Sequence, residues 1–389
     1  MEEWKTYRLE DLTIDGKGHY GIGAPAVDYD ENKFTYLRIT DINDDGSLNY
    51  SGLKSVDDPE ASKYLLQEGD IVFARTGNST GRSYYYEPSD GQFVFAGFLI
   101  KFSLDPTKVN PRFLKYYTHS KMYYEWVQSF DTGATRGNIN AQTFGSMEIN
   151  LPPREVQDRL VEILRSIDDK IKLNNRINHN LEDCLFSLYI RLLENQCGLS
   201  TIGQVSERIY SGGTPDTKNS DFWGGAINWL SSGETSERFI IDTEKRITEN
   251  GVRHSSTKYA SKYDVVIASA GQGNTRGQTS MTLLNTCINQ SVIVIHANSV
   301  EAPAIFCSLA NRYDELRAIS DASSIRGSLT TKMISALEIP IFPEVESVKF
   351  SSQAMCLIDQ IENNLRENRS LKEQRDTLLP KLMGGELCK

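Results

Sequence analysis

The chain has 389 residues, more than one hydrophobic core usually serves, so two or more domains are expected. Hydrophobic residues make up 39% and charged residues 24%, as in an ordinary globular protein, and no apolar run approaches the ~18 residues that a membrane helix needs. The formal net charge of −10 argues against a simple basic nucleic-acid clamp.

The start, Met1-Glu2-Glu3-Trp4-Lys5, is acidic with no apolar stretch behind it, so no signal peptide and a cytoplasmic location are expected. Residues 1–150 mix short β-branched and aromatic runs with Gly/Asn/Asp turns, and strands are predicted at 34–39, 70–74 and 93–102. Asn110-Pro111 offers an N-cap and a first-turn proline for one helix reaching Trp126. After Leu151-Pro152-Pro153 the chain runs to Leu193 without Gly or Pro, and Gly198 follows as a stop, which predicts a long helix within 151–197. Residues 198–342 are strand-rich again, with strands at 264–268 and 291–295 and a helix opening at Ala302-Pro303 and running to about Arg317. A second long helix fills 343–389, with Pro380 expected to interrupt it near its end. The cysteines, Cys184, Cys197, Cys287, Cys307, Cys356 and Cys388, are scattered, and read as reduced thiols rather than disulfides or a metal site.

The chain is written twice. Ala134-Thr135-Arg136-Gly137-Asn138-Ile139 returns 190 residues later as Ser324-Ile325-Arg326-Gly327-Ser328-Leu329. Asp70-Ile71-Val72-Phe73-Ala74 returns at an offset of 194 as Asp264-Val265-Val266-Ile267-Ala268, and Tyr36-Leu37 at 193 as Trp229-Leu230. In the first long helix a 4-3-4-3 stripe passes through Ile167, Ile171, Asn174, Asn178, Leu181, Leu185, Leu188 and Leu192. The second helix repeats it 190 residues on, as Leu357, Ile361, Asn364, Asn368, Leu371, Arg375, Leu378 and Leu382. This is a coiled-coil seam, and Asn174, Asn178, Asn364 and Asn368 are its register-setting residues, since asparagine in a seam costs stability and fixes pairing. Equivalent units joined through equivalent helices suggest a pseudo-twofold arrangement. The helices would then run antiparallel, with the strand-rich domains at opposite ends of a dumbbell.

Two variable domains, each followed by a Leu-Pro-Pro-type boundary and a long helix, resemble the specificity subunits of type I restriction–modification systems. The stretches that carry the likeness are Tyr36-Leu37-Arg38-Ile39-Thr40-Asp41-Ile42, Gly69-Asp70-Ile71-Val72-Phe73-Ala74-Arg75-Thr76-Gly77, Ser211-Gly212-Gly213-Thr214-Pro215 and the tail Leu378-Leu379-Pro380-Lys381-Leu382. The resemblance implies an α+β protein: two strand-rich α/β target recognition domains in pseudo-twofold repeat, separated by two long antiparallel coiled-coil helices. Residues 1–150 and 198–342 would be the target recognition domains, and 151–197 and 343–389 the spacer helices. It implies further that each domain reads one half of a bipartite site on double-stranded DNA. Two adenine-N6 methyltransferase subunits would dock on the chain, restriction subunits could join, and S-adenosylmethionine, ATP and Mg would sit on those partners. No cofactor, metal or catalytic site is expected in this chain. A standalone DNA-binding regulator and a coiled-coil protein-interaction scaffold are the alternatives.

No segment is basic as a whole: residues 1–150 carry 15 Lys+Arg against 22 Asp+Glu. DNA contact would therefore rest on local loops, or on partners that bring positive charge. The first candidate loop carries Arg75, Thr76, Asn78 and Arg82, and its repeat carries Gln272, Asn274 and Arg276. Arg, Asn and Gln read guanine and adenine edges bidentately, and glycines allow close approach to a duplex. Around Arg136 with Asn138, and around Arg326, glycine follows arginine in both copies, and the shared position favours a phosphate contact over a base. Both kinds of loop could equally be structural. Lys17, His19, Tyr20, Thr214, Lys218 and Asn219 are weaker candidates in early polar loops, and the tyrosines at 84–86, 116–117 and 123–124 read as core. Gly271-Gln272-Gly273-Asn274-Thr275-Arg276-Gly277 departs from the dinucleotide fingerprint. No phosphate loop, His-Glu-x-x-His or methyltransferase Asn/Asp-Pro-Pro-aromatic tetrapeptide occurs.

Overall fold

A computed structural model describes residues 4–50, 52–130, 137–271, 275–322 and 327–383. The chain divides into two compact units, residues 1–170 with 371–389, and residues 171–370.

The first unit opens with nine strands: β1 (Lys5–Arg8), β2 (His19–Tyr20), β3 (Ala26–Asp28), β4 (Phe34–Leu37), β5 (Lys54–Val56), β6 (Asp70–Ala74), β7 (Ser83–Tyr85), β8 (Phe93–Phe95) and β9 (Leu99–Ser103). Then come α1 (Pro111–Tyr117), α2 (Lys121–Gln128), α3 (Ala141–Gly145) and β10 (Glu148–Leu151), which leads into the 40-residue α4 (Arg154–Leu193). The strands form two four-stranded sheets, β2-β9-β6-β7 and β3-β5-β4-β8, while β1 and β10 pair on their own. Strand β6 is buried along its whole length because alternate side chains feed two cores. Ile71 and Phe73 join Phe102, Phe113, Tyr123, Phe144, Leu160 and Leu164. Val72 and Ala74 join Leu37, Tyr84, Phe93 and Phe95.

Three predicted elements are each divided in two, one of them the helix expected from Ala302 to about Arg317, which stops at Ala310 and resumes at Tyr313. The strand expected over 93–102 breaks at a turn in which Leu99 N donates to Ala96 O at 2.8 Å. The helix expected from Asn110 to Trp126 stops at Tyr117, because Ser120 accepts from Tyr123 N and so starts a second helix. Asn110 does cap α1, accepting from Arg112 N at 3.0 Å, with Pro111 in the first turn. Tyr84, Tyr85, Tyr86, Tyr116, Tyr117 and Tyr123 are buried, as a core reading requires, but Tyr124 is exposed, with its hydroxyl donating to Asp44 O at 2.9 Å.

The second unit repeats this plan. It contains β11 (Gly198–Thr201), α5 (Ile202–Val205), β12 (Arg208–Ser211), β13 (Trp223–Leu230), β14 (Phe239–Ile240), β15 (Lys245–Ile247), α6 (Glu249–Arg253) and β16 (Lys258–Ala260). After these come β17 (Val265–Ala268), β18 (Thr279–Thr282), β19 (Thr286–Ile288), β20 (Val292–His296), α7 (Ala302–Ala310), α8 (Tyr313–Asp321), α9 (Thr331–Ser335), β21 (Glu338–Ile341) and α10 (Glu344–Met383), whose residues from Leu371 on belong to the first unit. The sheets run β12-β20-β17-β18-β14 and β15-β13-β19-β16, and β11 pairs with β21 as β1 does with β10. In each domain one neighbouring pair of the second sheet is parallel, β4 with β8 at its edge and β13 with β19 at its centre. Helix α10 begins directly after Pro343 and continues through Pro380 to Met383, so the expected interruption is absent. Leu379, Leu382 and Met383 are buried in the first unit's core, which offsets the hydrogen bond that a proline removes from a helix.

Each domain rests on stretches of both long helices, but through different chemistry. In the first unit Asp168 of α4 accepts from Tyr116 Oη at 3.0 Å and pairs with Lys115 at 3.1 Å and with Arg375 of α10 at 3.3 Å. Glu87 completes the set, 2.8 Å from Arg112 and 3.3 Å from Lys115. In the second unit Leu185, Tyr189 and Leu192 of α4, with Phe350, Ala354, Ile358 and Ile361 of α10, join Phe306 and Cys307 in an apolar core.

The four seam asparagines meet in the second unit. Asn174 Nδ2 donates to Asn368 Oδ1 at 2.9 Å and to Glu367 at 2.7 Å, and Asn364 Nδ2 donates to Asn178 Oδ1 at 2.8 Å. Asn368 Nδ2 in turn donates to Asn175 Oδ1 at 2.8 Å. Partner numbers fall on α10 as they rise on α4, so the helices are antiparallel.

Candidate nucleic-acid interface

The turn between β6 and β7 is closed by Gly81 N donating to Ala74 O and Ala74 N to Arg82 O, both at 2.8 Å. Its counterpart between β17 and β18 is closed by Gly277 N to Ala268 O at 2.9 Å and Ala268 N to Gln278 O at 3.0 Å. Gly81 and Gly277 have φ of +87° and +90°, which side chains rarely adopt, so glycine is required at both turns. A Cβ at Gly81 would also collide with Val127.

In both domains this turn is tied to the segment that follows the Arg-Gly motif. Ile139 N donates to Arg75 O at 3.0 Å, Thr76 and Asn138 form an antiparallel bridge, and Thr80 Oγ1 donates to Gly137 O at 2.9 Å. In the second domain Leu329 N donates to Ser269 O at 2.8 Å and Arg276 Nη1 to Gly327 O at 2.6 Å. Candidate loops some 60 residues apart in sequence are thus drawn into one surface per domain.

Within that surface the candidate side chains differ in freedom. Asn78 and Asn138 are exposed. Thr76 and Arg75 are half-buried, and the Arg75 guanidinium lies 5.0 Å from the centre of the Tyr20 ring, whose hydroxyl accepts from Ala141 N at 3.1 Å. Arg82 is engaged inside its own domain, with Asp44 at 2.6 Å and Ile42 O at 3.0 Å. Arg276 is engaged too: it pairs with Asp321 as well as Gly327 O, and its side chain is only 13% exposed. The Nε atoms of Arg75 and Arg276 are both buried with no hydrogen-bond partner among the described residues. Arg136, Gln272, Asn274 and Arg326 lie outside the described residues.

The early polar loops are partly structural. His19 Nε2 lies 2.5 Å from Asp15, Asn219 caps a turn by accepting from Asp221 N at 3.0 Å, and Thr214 hydrogen-bonds Gln290. Lys17 and Lys218 are exposed. Tyr20 is the weaker candidate that the fold brings nearest a stronger one. Only the pairing of β2 with β9 puts it beside Arg75, and a two-residue strand leaves little trace in a sequence. Among the described residues no group of three or more His, Cys, Asp or Glu could hold a metal ion, and no helix is long and apolar enough to cross a membrane.

Residues 1–183 match the family described as the type I restriction modification DNA specificity domain. The specificity subunit of the type I restriction enzyme HindI of Haemophilus influenzae is 22% identical, with 100% of both chains covered. That of MjaIX from Methanocaldococcus jannaschii is 22% identical over 71% of this chain and 68% of its own length. The crystal structure of the type I restriction–modification S subunit from M. genitalium has the same fold, with a TM-score of 0.59 at 17% identity over 98% of this chain and 96% of that one. The matched domain, the likeness along the whole length and the shared fold all point to one group of proteins. Residues 1–183 thus carry the likeness of a type I specificity domain, and the chain as a whole is similar to the specificity subunits of type I restriction–modification systems.

Proposed function

We propose that each strand-rich domain reads one half of a bipartite double-stranded DNA site, that the long helices set the spacer, and that the chain acts as a non-catalytic adaptor in the cytoplasm. The observation that carries this reading is the doubled surface. In both domains the turn after the central strand is pinned to the segment after the Arg-Gly motif, and in the first domain Asn78 and Asn138 stand exposed there. Exposed amides can make bidentate contacts to adenine in the major groove, and Arg75, steadied on Tyr20, can reach guanine or a phosphate. Arg82 and Arg276 hold their loops in shape, and Thr76 orients Asn138 through their bridge. Gln272, Asn274, Arg136 and Arg326 are the further contacts proposed from sequence.

A 40-residue helix spans about 60 Å, enough to measure a gap between two major-groove contacts. The chain's net charge of −10 suits an adaptor whose partners supply much of the phosphate contact. Those partners would be two adenine-N6 methyltransferase subunits with S-adenosylmethionine, joined in the restricting complex by subunits that use ATP and Mg. N6-methyladenine mapped in cells carrying the intact system, with and without this chain, tests the reading. A bipartite methylated motif that vanishes with the chain is expected. An unchanged methylation map would overturn it.

A further inference from the structure

Repeat-related positions at which the two domains meet the long helices do not carry equivalent residues. At the offset of 190, Asp168 corresponds to Ile358, Glu182 to Lys372 and Leu185 to Arg375. In the first unit Asp168 and Arg375 form a largely buried ion pair, their side chains 12% and 17% exposed. The equivalent pair in the second unit, Ile358 and Leu185, is fully buried and apolar.

The rim charges are reversed between the units. In the first unit the acid is on the domain: against partial desolvation, and beyond its hydrogen bonds with Ser47, the positive charges of Arg375 and Lys372 on α10 help to hold the Asp45 carboxyl below its ordinary value. In the second unit the base is on the domain, with Arg238 Nε 3.7 Å from Glu182 of α4. Asp45 and Arg238 correspond at the offset of 193, and each follows a turn closed by a capping box, Arg38 with Asp41 and Ser231 with Glu234.

We propose that these pairs allocate each domain to one helix end. The first domain accepts the C-terminal part of α10 and the second accepts the C-terminal part of α4, so the partner each surface fits is the chain's other half and not a second copy of the same half. If the C-terminal part of α4 from a second copy met the first domain, Glu182 would face Asp45, and Leu185 would leave Asp168 without its arginine. In the converse error Lys372 would face Arg238, and Arg375 would enter an apolar core beside Ile358. Like charges brought together, and a buried charge deprived of its partner, are the repulsive elements that discriminate against wrong pairings.

Charge exchange in the full-length chain tests the allocation. The variant E182K/K372E keeps composition and net charge but turns both rim pairs repulsive, and its urea midpoint should fall by about 0.5 M. Adding D45R and R238D should restore the midpoint. A midpoint equal to the parent's in the exchange variant, or no recovery in the quadruple variant, overturns the proposal. The variant D168I/R375L writes the second unit's apolar pair into the first. It should be more stable than either single substitution, and a double less stable than both singles would equally overturn it.

Discussion

Asn174 and Asn368 meet amide to amide across the antiparallel helices, 2.9 Å apart, at positions only 1% and 5% exposed. Substituting Asn174→Leu leaves Asn368 Oδ1 buried without its donor, while Asn368 Nδ2 keeps Asn175, and should cost about 1–3 kcal/mol in urea unfolding. Leucine at both positions should cost less than the single change, because no buried amide is then left unpaired. The double variant should instead lose uniqueness of register, visible as a second population in helix–helix crosslinking.

The spacer role of the helices can be tested by lengthening both. Seven residues inserted after Lys170 and another seven after Leu371 keep the seam in phase and add about 10 Å. Methylation mapping should then show a spacer longer by about three base pairs, at 3.4 Å per step, between unchanged half-sites. An unaltered spacer in an enzyme that still assembles would exclude a ruler.

Asn78→Ala and Asn138→Ala should relax recognition at one half-site, each by about 1–3 kcal/mol where the amide pairs bidentately with a base. Both side chains are exposed, so the thermal midpoint should stay within a degree or two of the parent's. Arg276→Ala should behave differently. Its guanidinium holds Gly327 O and Asp321, so the thermal midpoint of the second unit should fall along with recognition.

Acid should weaken the first unit through His119. Burial is the main cause that lowers this imidazole to about 4; Arg375 and Lys115 reinforce it, while Asp45 and Asp168 oppose it. In the unfolded chain a histidine binds its proton near 6.5. The unfolded state therefore gains the proton first as pH falls, and the stability present above pH 6.5 is lost progressively down to about pH 4. The thermal midpoint of the parent should drop more steeply over that range than that of His119→Asn. Gly46, at φ +72°, lies against this ring, and a Cβ there would sit within 2.4 Å of Nε2, so Gly46→Ala should destabilise at any pH.

The doubled architecture was legible because repetition survives where single motifs are weak: Asp70–Ala74 and Asp264-Val265-Val266-Ile267-Ala268 occupy matching central strands. The seam asparagines stood out because polar residues at seam spacing are rare without a partner. Other features depend on distant chain. Whether an arginine faces solvent or its own fold turned, for Arg276, on Asp321 and Gly327, some 50 residues away. Arg375 stands among leucines in the stripe, and nothing local announces its partner Asp168. Ser120 could have been seen as a cap, but the apolar pattern runs through it and hides the break between α1 and α2.

The ladders that open and close each domain have a consequence for how such proteins change. Lys5 lies opposite Leu151 and Gly198 opposite Ile341, so each reading domain leaves its scaffold and returns to it across four paired residues. A segment bracketed in this way is a cassette. Whatever lies inside the bracket can be exchanged while the chain still meets its helix at the same place and angle. On the function proposed above, exchanging one bracketed stretch would change one half-site and leave the helices untouched.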